Sequence, residues 1–220
     1  MATSDWFNQV LMPALVDAGL PANLKNPYRC PSAAANLSAF FTIVERNPSA
    51  LLLVGEAPGY RGAAITGVPF TSTAILLAPW DDPWGAFGPG RGFRECPDAG
   101  FRREATATIF WQTIADLGLS IPITWNAVPF HPVADRVPNR PVEKKDIRIG
   151  LPFLEAVLSR FSGRPVVAVG NAAAAALEAL DVPYAKIRHP SRGGKSQFYA
   201  GLADASMRSS SGAPAGPTNL

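Results

Sequence analysis

Three short runs of this chain carry no charged residue: ALLLV at 50–54, IPITW at 121–125 and PVVAV at 165–169. A strand with one solvated face alternates apolar and polar side chains, whereas a strand covered on both faces does not. Segments of helical periodicity separate the three runs. Buried strands alternating with helices require a parallel sheet with helices on both sides. The expected class is therefore α/β, a three-layer α/β/α fold around a central four-stranded, mainly parallel sheet, with a short fourth strand at Tyr184–Ile187.

Helical spacing of apolar residues covers 5–18, where Pro13 must sit at a kink or a boundary. Further helices are expected at 32–47, with Ser32 as N-cap and Asn47-Pro48 as the stop, at 101–117, within 140–161, after Gly170 and at 196–203. Residues 78–100 are dense in Pro and Gly, with Trp80, Trp84, Phe87 and Phe93 interleaved, and form a long irregular loop. Its rings either stack on a partner or fold back on the domain. Residues 1–205 make one domain, and the Ser-, Gly- and Pro-rich stretch 206–220 reads as a disordered tail.

Composition limits the function less than the pattern does. Lys plus Arg outnumber Asp plus Glu by 20 to 17, a charge of +3 that permits a polyanionic partner without requiring one. Cys30 and Cys96 are two cysteines in no paired motif, too few for a zinc site or an iron–sulfur cluster. No apolar run is long enough to span a membrane, and the N-terminus lacks the features of a signal peptide, so a cytoplasmic location is expected.

In open parallel sheets, ligands bind outside the carboxyl ends of the strands. Three segments fall there. The first, GEAPGYRG (55–62), places the carboxylate of Glu56 among glycines whose backbone can approach a ligand closely. It matches neither a dinucleotide fingerprint nor a phosphate loop. The second, NAVPFHP (126–132), offers Asn126, with one acceptor and two donors on a short arm, and His131, which we expect to be structural. The third, HPSRGGK (189–195), offers His189, then Ser191, Arg192, Gly193 and Lys195. Phe70 in GVPFTS is either core or a stacking platform.

Taken in order, these segments resemble the uracil-DNA glycosylase superfamily. GEAPG after a buried strand is similar to the first motif of its bacterial and archaeal branches, and HPS near the C-terminus to the second. Asn126-x-x-Pro followed by PNRP (138–141) is similar to the base-reading segment. The resemblance spans about residues 30–203. It implies an enzyme that flips uracil out of DNA and hydrolyses its N-glycosidic bond, leaving an abasic site. Glu56 would orient the attacking water or stabilise the sugar cation, and His189 would stabilise the charge on uracil O2. Ala57, Gly59, Phe70 and Asn126 would hold the base. Ser191, Arg192, Gly193, Lys195 and Arg140, together with Arg136, would meet the DNA. Lys144, Lys145 and Arg148 read as a solvated helix face.

The chain departs from the pattern in places. Relatives with GEAPG commonly carry four cluster-binding cysteines, and this chain has two, so no cluster, metal or other cofactor is expected. Many also place an acid a few residues after the motif, where Arg61, Gly62 and Ala63 stand here. The expected partner is uracil-containing DNA, with uracil as product, met by a monomer. Two other readings remain: a member that binds or covalently traps damaged or abasic DNA without turnover, and a free-nucleotide-binding module.

Overall fold

The computed structural model describes residues 3–46, 51–97, 99–135 and 137–211. Four strands form the main sheet: β1 (Leu52–Gly55), β2 (Ile123–Asn126), β3 (Val166–Val169) and β4 (Ala185–Ile187). Their order is β2-β1-β3-β4 and every pairing is parallel. The first three strands are buried at every position, as their uninterrupted apolar runs require.

Five longer helices cover the sheet: α1 (Pro31–Glu45), α2 (Ala105–Asp116), α3 (Lys144–Arg160), α4 (Asn171–Ala179) and α5 (Lys195–Ser211). The chain steps one way from β1 to β2 and the other way from β2 to β3 and β4. Right-handed crossovers then put α2 on one face and α3 and α4 on the other. The packing agrees, since α3 lies against α4 and α5 joins α2 through the rings of Phe198 and Phe110, 5.7 Å apart. The reversal after β2 creates a switch point at the carboxyl ends of β1 and β3, where such folds open a crevice.

Several boundaries differ from the sequence expectation, each for a local reason. The first helix does not begin at Ser32. Cys30 takes the N-cap position and Pro31 the first helical turn, where its missing N–H costs nothing. The N-terminal segment runs helically from Thr3 to Val16, with a π-helical stretch at Phe7–Leu11 just before Pro13. Residues 101–104 stay non-helical and α2 starts only at Ala105. The last helix is longer than expected. Residues up to Ser211 continue α5, and of the expected tail only 212–220 lie outside the described residues. A two-stranded antiparallel ribbon, Leu24–Lys25 with His131–Pro132, has no periodicity to announce it.

The loop 78–100 folds back on the domain. Asp82 accepts hydrogen bonds from the backbone N–H groups of Trp84, Ala86 and Phe87 at 3.0, 2.6 and 2.6 Å. Trp80 Nε1 donates to Ile75 O at 3.0 Å and Trp84 Nε1 to Leu119 O at 2.9 Å. Phe87 packs edge-on against the buried Trp111, with centroids 4.7 Å apart. Phe87 belongs to the core, and Trp80, Trp84 and Phe93 pack against it partly buried.

Candidate active site

The register of the sheet brings the first two expected segments side by side. Gly55, the last residue of β1, pairs with Asn126, the last of β2. Ala127 N then donates to Gly55 O at 2.8 Å and Val128 N to Glu56 O at 3.0 Å, so the two loops leave the sheet together. Two residues further along the register that pairs Val54 with Ala168, Glu56 stands level with Gly170 at the end of β3. A Cβ on Gly170 would lie 3.6 Å from the Cβ of His189. Glu56, Asn126 and His189 thus arrive at one edge of the sheet from three strand ends.

Gly55 explains how a ring and an amide meet there. A Cβ at this position would lie 2.5 Å from Phe70 Cζ and 2.7 Å from Asn126 Oδ1, closer than any real side chain tolerates. The space above Gly55 is therefore shared by Phe70 and Asn126. Asn126 is only 4% exposed. Among the described residues its side-chain amide makes no hydrogen bond, although a buried amide normally finds a partner. A buried, unpaired amide beside an aromatic edge is suited to recognising a flat, hydrogen-bonding ligand.

Phe70 is held in a strained conformation. Its φ of +58° is left-handed, which costs an aromatic residue about 1–3 kcal/mol. Trp111 Nε1 donates to Phe70 O at 3.1 Å, and the ring stacks on Phe110 at 4.3 Å with an interplanar angle of 11°. These contacts fix the ring with one face covered.

Glu56 is exposed, and its Oε1 accepts from Val142 N at 3.4 Å. The loop it belongs to is tied down on both sides. Tyr60 N donates to Asn139 Oδ1 at 3.0 Å, and His131 Nδ1 bonds Pro58 O at 2.7 Å. A carbonyl can only accept, so Nδ1 is the donor; burial lowers the His131 pKa against the bonds to the Pro58 and Pro138 carbonyls. His131 supports the loop, consistent with the structural role expected of it. A concavity of about 450 Å³ opens beside Tyr60 and His131.

His189 is half-buried. Burial, with Arg188 adding repulsion, pushes its pKa down to about 4, so it is neutral at physiological pH. Ser191 N donates to His189 Nδ1 at 3.2 Å and Ser191 Oγ lies 2.8 Å from the same atom. With Nδ1 accepting, the ring proton resides on Nε2. A neutral imidazole with a free Nε2–H is a donor suited to an oxygen that gains negative charge. Beyond it, Arg192 adopts a left-handed φ of +51° at the exposed tip of the loop, followed by Gly193 and the exposed Lys195.

Arg140 does not belong with the expected DNA contacts. Its guanidinium clasps Asp146 at 2.6 and 2.9 Å and reaches Asn23 O at 3.2 Å. The Arg140 side chain is 10% exposed and that of Asp146 0%. Burial raises the Asp146 pKa, but the bonds from Arg140 and from Glu143 N outweigh it and hold the carboxyl below its ordinary range. Arg140 is the counter-ion of a buried acid, and its unpartnered donor, Nε–H, is itself buried away from any phosphate. Arg136 lies outside the described residues. Lys144, Lys145 and Arg148 are exposed on α3, as a solvated face should be.

Sequence reasoning missed Glu104. Its carboxyl occupies the space beside Gly59 and Gly62, within the Glu56 loop. Nothing local in the sequence marks it. The trace is indirect: two glycines in one loop leave a void for something to fill.

No group of three or more His, Cys, Asp and Glu side chains suited to a metal is found among the described residues. The two cysteines do not fit an iron–sulfur cluster, and Cys96 Sγ instead donates to Ile65 O at 2.7 Å. No described helix is long and apolar enough to cross a membrane. A second cavity, of about 690 Å³, lies at the opposite edge of the sheet, where Val166 and Ala185 begin their strands and Arg208 and Ser209 close it. None of the candidate residues lines it.

The model of the uracil DNA glycosylase superfamily matches residues 43–206. The crystal structure of wild-type SMUG2 from Pedobacter heparinus superposes with a TM-score of 0.61 at 14% sequence identity, covering 93% of this chain and 98% of that one. At that identity the likeness concerns the fold. No curated protein matches the chain.

Proposed function

Because the chain belongs to the uracil DNA glycosylase superfamily, we propose that it is a monofunctional DNA N-glycosylase that removes uracil in base excision repair. The observation that carries this reading is the convergence of the Phe70 ring and the unpaired Asn126 amide over Gly55.

A uracil inside a duplex is out of reach, so the nucleotide turns out of the stack at a cost of about a few kcal/mol. Its base enters beside Phe70. The Asn126 carbonyl accepts from uracil N3–H and its NH2 donates to O4. Cytosine would present a donor to a donor there, leaving buried groups unpaired, which discriminates strongly. Ala57 lets the loop backbone approach the base, whereas the room left by Gly59 is taken by the Glu104 carboxyl. Ser191, Arg192, Gly193 and Lys195 take the flanking phosphates. Such contacts position the strand without reading sequence.

The bond between C1′ and uracil N1 breaks with its electron pair moving onto uracil. Charge gathers at O2, where His189 Nε2–H donates. One such donor is worth about 100- to 1,000-fold in rate. Glu56 stabilises the cationic sugar and orients a water whose oxygen bonds to C1′. The proton released by that water passes to Glu56 and then to solvent, and the uracil anion takes a proton from solvent.

The test is release of free uracil from a uracil-containing oligonucleotide by the wild type, Glu56→Gln, Asn126→Ala and His189→Gln. Turnover by the wild type, with large losses in all three variants, supports the assignment. Full activity in Glu56→Gln removes that residue from the chemistry. A denaturant-resistant DNA adduct without turnover points instead to a trapping protein.

A further inference from the structure

Glu104 precedes α2 in extended conformation and turns its side chain inward. Its segment is pinned to the turn that follows Phe70. Arg102 N donates to Thr73 Oγ1 at 2.5 Å, and Arg102 O accepts from Thr73 Oγ1 at 2.9 Å and from Ala74 N at 3.0 Å. From there the carboxyl reaches the Glu56 loop. A Cβ on Gly59 would lie 2.5 Å from Glu104 Oε1. A Cβ on Gly62 would overlap Glu104 Oε2 and, at 2.5 Å, the carbonyl oxygen of Thr71. The carboxyl thus fills the gap between the loop that carries Glu56 and the turn that carries Phe70.

Two features of this arrangement favour a proton. Among the described residues, no hydrogen bond or ion pair satisfies the Glu104 carboxyl. Its Oε2 and Thr71 O both lie within 2.5 Å of the point where a side chain on Gly62 would begin. A carboxylate can only accept and gains nothing from a carbonyl neighbour, whereas a protonated carboxyl can donate to it.

We propose that Glu104 is a positioning residue of the glycosylase site: as a neutral carboxyl it bridges the Glu56 loop to the Phe70 turn through the Thr71 carbonyl, and loss of its proton loosens the bridge. This rests on the function proposed above. Burial raises the carboxyl to about 7, which places the switch at neutral pH.

The charged neighbours do not neutralise it. On the loop, Arg61 lies over the Tyr60 ring at 5.7 Å, Glu56 accepts from Val142 N, and His131 is bonded to Pro58 O. On its own segment, Arg102 Nη1 donates to Phe101 O and Arg103 lies over the Phe101 ring at 5.9 Å. Residues 70–74 carry no charge.

The experiment measures uracil release and melting temperature between about pH 5 and about pH 9 for the wild type, Glu104→Gln and Glu104→Ala. A group that gains a proton on folding loses its stabilising contribution as pH rises through its folded value. The wild type therefore loses activity above about pH 7, by about tenfold per pH unit for a single required proton. Glu104→Gln keeps an N–H donor towards Thr71 and lacks the decline. Glu104→Ala is slow at every pH. The wild-type melting temperature falls relative to that of Glu104→Gln as pH rises from about 5 to about 8. Parallel activity profiles for wild type and Gln variant overturn the proposal, as do parallel melting curves or an Ala variant as active as the Gln variant. The melting comparison needs no turnover. If no protein releases uracil, the glycosylase reading falls and the melting curves alone decide the assignment of Glu104.

Discussion

Phe70 Cζ and Asn126 Oδ1 stand 2.5 and 2.7 Å from the one point where a side chain on Gly55 would begin. The ring and the amide are therefore placed by the absence of a methyl group. In Gly55→Ala both must move, and misplacing a binding group by about 1 Å costs about 100-fold in rate. Uracil release by Gly55→Ala should fall by that order while the protein still melts cooperatively. A wild-type rate in this variant would mean that the base is held elsewhere.

His189 carries both a rate prediction and a pH prediction. His189→Gln loses the Nε2 donor and should slow turnover about 100- to 1,000-fold. The folded value of about 4 lies below the ordinary histidine value of 6.5. Between those values the unfolded chain takes up a proton that the folded chain refuses. Stability from this group is therefore complete above 6.5 and lost as pH falls towards 4. Glu104 acts in the opposite sense over nearly the same range. His131, also lowered by burial, acts in the same sense as His189 in every variant. Relative to the wild type, the melting temperature should climb more steeply from about pH 5 to about pH 6.5 in Glu104→Gln and less steeply in His189→Gln. Identical slopes in the two variants would contradict both assignments.

Arg140 and the loop cations should separate cleanly. Removing Arg140 strands a carboxylate that is 0% exposed, a change that costs about 3–5 kcal/mol. Urea unfolding of Arg140→Ala should show that loss, and Arg140→Ala with Asp146→Asn should recover part of it. Arg192→Gln and Lys195→Gln should leave stability unchanged. Each should reduce the salt dependence of oligonucleotide binding by about one counter-ion. An unchanged salt slope would remove that residue from the phosphate contacts.

The two thiols should react at very different rates. Burial, with the Cys30 thiol adding to it, pushes the Cys96 thiol up to about 12. At neutral pH its thiolate is scarcer by about three orders of magnitude than that of an ordinary cysteine. Alkylation of the native protein, followed by peptide mass mapping, should label Cys30 first and Cys96 only on unfolding. Equal labelling would show that the segment around Cys96 opens readily.

What the sequence makes legible here is what it encodes locally. The apolar runs declare buried parallel strands, and the topology of such strands places Glu56, Asn126 and His189 at one edge. Contacts made across long stretches of chain leave no such mark. Tyr60 N meets Asn139 across 79 residues, and Glu104 reaches back more than forty to Gly59 and Gly62. Arg140 misleads for a different reason. A cation in a Pro-rich loop resembles a phosphate ligand until its partner is known. That partner had a local sign, because Glu143 and Asp146 form a reciprocal capping box that starts α3. The loop 78–100 is a similar case. Its order comes from Asp82 and indole N–H groups bonding to backbone, which composition alone describes as disorder-prone.

The position of the end of α5 bears on how the protein can be handled. Arg208 and Ser209 line the cavity at the starting edge of the strands, while Glu56, Asn126 and His189 stand past their finishing edge. Four strand residues, about 13 Å of sheet, separate the two sides. A fluorophore, a surface anchor or a fused partner attached near Ser209 would leave the candidate site unobstructed, so the molecule can be immobilised from behind with that site open in front.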